Sequence, residues 1–133
     1  MTDQVIIEKQ SRYDFDKTVE IITKEAESRG WRVPFIHDLQ MSLLKAGQEV
    51  RPVKIIEICK PAHSGKILSV DSERMISVMM PCRISVYQKE DGNTYISLMD
   101  AGKMIPVMPE NAGEVMKAAS DEMIEIVKQI YVL

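Results

Sequence analysis

The sequence predicts an α+β fold of two layers, one sheet backed by two long helices, in a single domain spanning residues 1–133. Three features carry that prediction. Phe15, Val19, Ile22 and Ala26, and again Met116, Ala119, Met123, Ile126, Val127 and Ile130, repeat at helical spacing. Cys82, Ile84 and Val86 alternate with Arg83, Ser85 and Tyr87, and the Asp91-Gly92 turn signal then leads into Thr94, Ile96 and Leu98, which is the pattern of a hairpin. Val53 to Cys59 carries apolar groups on both faces, with Val53, Ile55 and Cys59 on one and Ile56 and Ile58 on the other.

The elements follow in chain order. Val5 to Ser11 has the β-branched residues of a short strand. Asp14 or Asp16 can cap the first long helix, whose wet face pairs Glu20 with Lys24 and Glu25 with Arg29, and Gly30 ends it. Trp31 to Ile36 reads as a strand in which Pro34, lacking an N–H, requires an edge position or a bulge. Asp38 caps a short helix through Leu39, Leu43 and Leu44 that stops at Gly47. After the Val53 to Cys59 strand, Pro61 suits the first turn of a short helix to Leu68. Ser69 to Met80 matches no period, and Ala101 to Pro109, with two prolines, reads as a loop before the last helix. Two long helices cover one face of a sheet, so the doubly apolar central strand predicts a second copy of the chain over the other.

Composition narrows the function. A chain of 133 residues buries a core without staples, and 45% hydrophobic beside 28% charged residues describes a globular protein rather than a disordered one. The net charge of −3 lacks the basic excess that phosphate backbones or anionic lipid attract, which argues against nucleic acid and membrane partners. MTDQVIIEKQ has neither the basic region nor the apolar stretch of a signal peptide, and no run reaches the roughly 18 apolar residues of a bilayer span. The expectation is a cytoplasmic protein, in which two cysteines serve as free thiols, metal ligands or a transient redox pair rather than a permanent disulfide.

Chemistry concentrates between Val53 and Tyr87, which hold both cysteines and one of the two histidines. Cys59 and Cys82 sit at strand ends beside Pro61 and Pro81, and His63 follows Cys59 by four positions. One reading brings the two thiols and the imidazole together as a dithiol couple or a sulfur and imidazole set for a soft metal; the other buries each cysteine as a small hydrophobe. Alternation puts Cys82 on the face of Ile84 and Val86, which favours burial. A single Cys-x-x-x-His followed by a distant Cys is not the repeated paired spacing of structural zinc. His63 suits a general base or a ligand, and His37, before Asp38, a surface position at a helix cap. Ten methionines, among them Met75, Met79, Met80, Met99, Met104 and Met108, admit a Cu(I) site with Cys82, although methionine is also a common core filler. No phosphate loop, dinucleotide fingerprint or nucleophile elbow is present.

The strand ending in Cys59 with Pro61 two residues on, the Met80-Pro81-Cys82-Arg83 entry to the next strand, the Val86-Tyr87 exit, the Asp91-Gly92 turn, and the helix between Phe15 and Gly30-Trp31 together resemble the bacterial and archaeal family called domain of unknown function 302. The chain departs from the common family pattern at Lys60, where asparagine is usual, and at Met80, where leucine is. The resemblance implies a small two-layer α/β sandwich with a mainly antiparallel sheet, usually dimeric, in a family whose members occur among sulfur-metabolising organisms. It assigns no catalytic residue and no cofactor. The expected function is therefore a homodimeric module holding a small ligand or soft metal near Cys59, His63 and Cys82. A thiol-dependent redox enzyme or sulfur carrier, and a structural interaction module, are the alternatives.

Overall fold

The computed structural model describes residues 5–132. Five strands, β1 (Ile6–Gln10), β2 (Arg32–Asp38), β3 (Val53–Cys59), β4 (Cys82–Gln88) and β5 (Thr94–Met99), form one sheet in the order β1-β5-β4-β3-β2. Every neighbouring pair is antiparallel. The helices are α1 (Phe15–Ser28), α2 (Leu39–Lys45), α3 (Pro61–Leu68) and α4 (Glu110–Lys128), joined by 3-10 segments at Asp71–Met79 and Ala101–Val107. The fold class read from the sequence holds: α1, with 14 residues, and α4, with 19, are the two long helices.

Alternation along the strands builds the core. Ile56, Ile58, Ile84, Val86, Ile96 and Leu98 point to one face and are buried against Val19, Ile22 and Ala26 of α1 and Ala119, Met123 and Ile126 of α4. A smaller cluster, with Ile67, Ile76, Ala101, Ala112, Val115 and Met116, joins α3 and both 3-10 segments to the start of α4.

Local chemistry fixes the element ends as expected. The Asp14 carboxylate accepts from the Lys17 N–H at 2.8 Å and that of Asp38 from the Met41 N–H at 3.0 Å. Gly30 stops α1 in the left-handed region at φ 87°, where a side chain would be strained. Arg29 Nε reaches Glu25 at 2.7 Å across one turn. Both consequences foreseen for Pro34 occur: β2 lies at the sheet edge, and its register slips between Arg32 and Phe35. The strand runs on past Ile36 to Asp38, because Ile36 to Asp38 still pair with Ile56 to Lys54.

One segment without a readable period takes a regular structure, and one expectation needs correction. Ser69 to Met80, without a readable period, contains the 3-10 segment Asp71–Met79, which presents Ile76 to the smaller core. Ala101 to Pro109 is not a plain loop; it turns as a 3-10 helix over Ala101–Val107, started by the Asp100 carboxylate accepting from the Gly102 N–H at 3.1 Å. Among the described residues, no helix is long and apolar enough to cross a membrane.

The two long helices cover one sheet face, and among the described residues the other is left largely open. On the open face Glu57 is buried, with His37 Nε2 at 2.8 Å and Arg83 Nη2 at 3.8 Å from its carboxylate, and Phe35 stacks on the His37 ring. His37 is exposed and directly precedes the capping Asp38, as expected, and its ring also pairs with Glu57. Further along, Tyr87 donates to Glu8, which also pairs with Lys89 at 2.9 Å.

Candidate functional site

Cys59 ends β3 and Cys82 begins β4, and the antiparallel register sets Ile58 opposite Cys82. Strand alternation assigns the two cysteines to opposite faces. Because both are strand-terminal, where the chain leaves the pleat for Pro61 and Pro81, both nevertheless border one small hollow, as does His63. That hollow is about 30 Å³, the share of one water molecule. The three residues singled out in the sequence are brought together, around a space too small for a ligand.

α3 positions the polar half of this hollow. Pro61 supplies its first turn, which turns His63 toward α4 and sets the Ser64 hydroxyl 3.8 Å from the Cys59 sulfur. His63 Nε2 donates to Glu122 Oε2 at 2.7 Å, and Lys60 Nζ and Trp31 Nε1 donate to Glu122 Oε1 at 2.8 and 3.2 Å. Lys60 also bonds the Arg29 carbonyl at 3.2 Å and lies over the Trp31 ring. Burial alone would raise the Glu122 pKa, but the hydrogen bonds from Lys60 and His63 outweigh it and hold the carboxylate below its ordinary range. With Nε2 engaged, Nδ1 carries the lone pair of the uncharged ring. Glu122 was missed in the sequence, where it reads as one more acidic residue on the wet side of an amphipathic helix.

The Cys82 thiol has a different environment. Burial chiefly, with the nearby Cys59, pushes it up to about 11, so it stays protonated at neutral pH. Among the described residues, no three His, Cys, Asp or Glu side chains converge in a way that could hold a metal ion.

Cys82 also walls a second and far larger cavity, of about 350 Å³. Met79, Met99, Met104, Met116 and Met123 line it, and exposed Val78 marks where it reaches the surface. Five of the ten methionines are thereby gathered around one space; Met75, grouped with them in the sequence, is exposed instead. Ser120 is the one buried hydroxyl of the lining, and it is committed to the backbone, accepting from the Ala101 N–H at 3.2 Å and donating to the Met99 carbonyl at 3.5 Å.

The cavity lies where the sheet forks. β4 stays paired with β3 as far as Cys82, and β5 with β1 as far as Met99, but β4 and β5 pair only from Ser85–Ser97 to Gln88–Thr94. Gln88 donates to the Pro52 carbonyl and Lys89 to that of Asn93, so the odd-numbered peptide groups of β4 face β5. The next rung, between Arg83 and Met99, is not made.

The fold defines a class, small α+β proteins in which two long helices back an antiparallel sheet, and in this chain a sulfur-lined cavity sits where the sheet splits. A family model, the domain of unknown function DUF302, matches residues 7–130, and the chain belongs to that family. Its fold is similar to that of an uncharacterized conserved DUF302 protein from Bacillus stearothermophilus, with a TM-score of 0.84 and 17% identity over 96% of this chain and 98% of that one. No curated protein matches the chain.

Proposed function

We propose that this protein is a homodimeric binding module that holds a small apolar molecule in the methionine-lined cavity beside Cys82. The carrying observation is that cavity: 350 Å³ is within the range of small-molecule sites, and its walls are mainly thioether and aliphatic, with Arg83 and Ser120 as the polar exceptions. Methionine is flexible and polarizable, so such walls adapt to a ligand without a unique shape. The hollow of Cys59, His63 and Cys82 adjoins it through Pro81, Cys82 and Met116, which line both. The dimer would place a second copy over the open sheet face.

Methionine-methyl NMR during a titration with p-xylene tests the reading. Saturable shifts confined to cavity methionines such as Met104 and Met116, with exposed Met41 and Met75 still, support it. Uniform shifts, or none, count against it.

A second reading, a thiol enzyme or sulfur carrier, is favoured by one observation: His63, oriented by Glu122, shares a hollow with Cys59. It falls to Cys59 alone, because the protonated Cys82 thiol is a poor nucleophile. Alkylation of Cys59 at neutral pH no faster than that of Cys82 would remove it.

A further inference from the structure

Resting on the cavity reading above, we infer that the ligand is a neutral amphiphile with a carboxamide head, which completes the missing rung between Arg83 and Met99. The fork is the warrant. Register and alternation turn the Arg83 carbonyl and the Met99 N–H toward the same gap, and the pairing of β4 with β5 stops one rung short of joining them. Each strand remains anchored on its far side, β4 to β3 and β5 to β1, so the gap is held open by the rest of the sheet. The Met99 carbonyl is already supplied by the Ser120 hydroxyl. What the gap presents is thus one acceptor, the Arg83 carbonyl, and two donors, the N–H groups of Arg83 and Met99.

A primary carboxamide complements that set, because its oxygen has two lone pairs for the two N–H groups and its nitrogen carries a donor for the carbonyl. Its oxygen accepts from the Met99 N–H while its N–H donates to the Arg83 carbonyl, as a strand peptide would. A carboxylate meets the donors but sets negative charge against the Arg83 carbonyl, and a hydrocarbon satisfies none of the three groups. The body of the ligand extends among Met79, Met104 and Met116. The volume of 350 Å³ is the liquid share of about twelve waters, room for a chain or ring of roughly ten heavy atoms.

The test compares octanamide, N,N-dimethyloctanamide, octanoate and p-xylene by methionine-methyl NMR on the full chain. Octanamide should bind about tenfold tighter than its dimethyl analogue, the effect of one added hydrogen bond to an otherwise unpaired carbonyl. Met99→Pro deletes one N–H that faces the gap and leaves the outward edge of β5 toward β1 intact; it should lower octanamide affinity about tenfold, and Met99→Leu should not. Should Met99→Pro not fold, the ligand series on the native chain decides. Equal binding of octanamide and its dimethyl analogue overturns the carboxamide head while leaving the cavity reading in place. Octanoate binding tighter than octanamide overturns it in favour of the Arg83 guanidinium. Failure of all four compounds, p-xylene included, overturns the cavity reading itself.

Discussion

Glu122 Oε2 stands 2.7 Å from His63 Nε2, so one carboxylate in the middle of α4 fixes the orientation of an imidazole in the first turn of α3. The same carboxylate holds Lys60 and Trp31, from the end of β3 and the end of the turn after α1. A single side chain therefore ties two separate segments, the β3–α3 junction and the turn after α1, to α4 around the Cys59 hollow, and that dependence can be measured.

Glu122→Gln removes the charge while keeping the size. The site is about a third exposed, at 36%, so solvent screening discounts the loss to about 1 kcal/mol at pH 7, read as a lower urea midpoint at unchanged m. The sign with pH follows from the lowered pKa. A carboxylate depressed below 4.5 contributes stability that is present above 4.5 and is lost as pH falls through its folded value. The native chain should therefore lose its advantage over Glu122→Gln below pH 4.5; an advantage that persists in acid would mean the carboxylate charge is not the cause.

Cys82 gives a second pH signature, on the alkaline side. Its thiol is raised from 9.0 to about 11, so the neutral form favours the fold; that contribution is complete below 9 and is lost as pH rises toward 11. Native protein should lose stability over that window relative to Cys82→Val. At pH 7.5 iodoacetamide should label Cys82 only slowly in the folded chain and rapidly in denaturant, followed by mass spectrometry of the peptides. Rapid labelling of folded protein at Cys82 would contradict its burial.

How much of this was readable beforehand depends on the range of the interactions. Caps at Asp14 and Asp38, the stop at Gly30 and the edge role of Pro34 are settled within a few residues, and each was foreseen. The strand termini that bring Cys59 and Cys82 to one hollow followed from apolar runs ending at prolines. Glu122 gives no such sign, because its partners lie 59 to 91 residues away. The cavity was hidden for a related reason. Methionine reads the same in a core stripe as in a ligand wall, and the fork between β4 and β5 is a failure of pairing that the clean alternation of Cys82 to Tyr87 does not announce.

The open sheet face predicts self-association. Phe35 is 63% exposed there, and Ile55 and Tyr87 are only half-buried on the same face, beside the paired Glu57, His37 and Arg83. Light scattering on a sizing column should give twice the chain mass of 15.1 kDa, and Phe35→Glu should bring it to a single chain mass with an unchanged far-UV circular dichroism spectrum. A native chain that elutes as a monomer at micromolar concentration would remove the second copy from the proposal.

The least readable segment has a tertiary task. α4 starts after Pro109 without a side-chain cap of its own, and Glu73, from the 3-10 segment Asp71–Met79, reaches across to accept from the Ala112 N–H at 2.6 Å. A buried carboxylate at a helix start meets both an orphan donor and the positive end of the helix dipole. Asn111 adds a second tie, donating to the Lys66 carbonyl of α3 at 3.0 Å. Glu73→Ala leaves the Ala112 N–H buried without its acceptor and should cost about 1–3 kcal/mol. Glu73→Gln, which retains an oxygen, should recover part of that. Amide exchange locates the effect: protection should fall at Ala112 and its neighbours in the first turn of α4 while the sheet amides of β3 and β4 hold theirs, because the lost contact opens one helix end rather than the core. Uniform loss of protection across the chain would show that Glu73 acts through the smaller core and not as a cap.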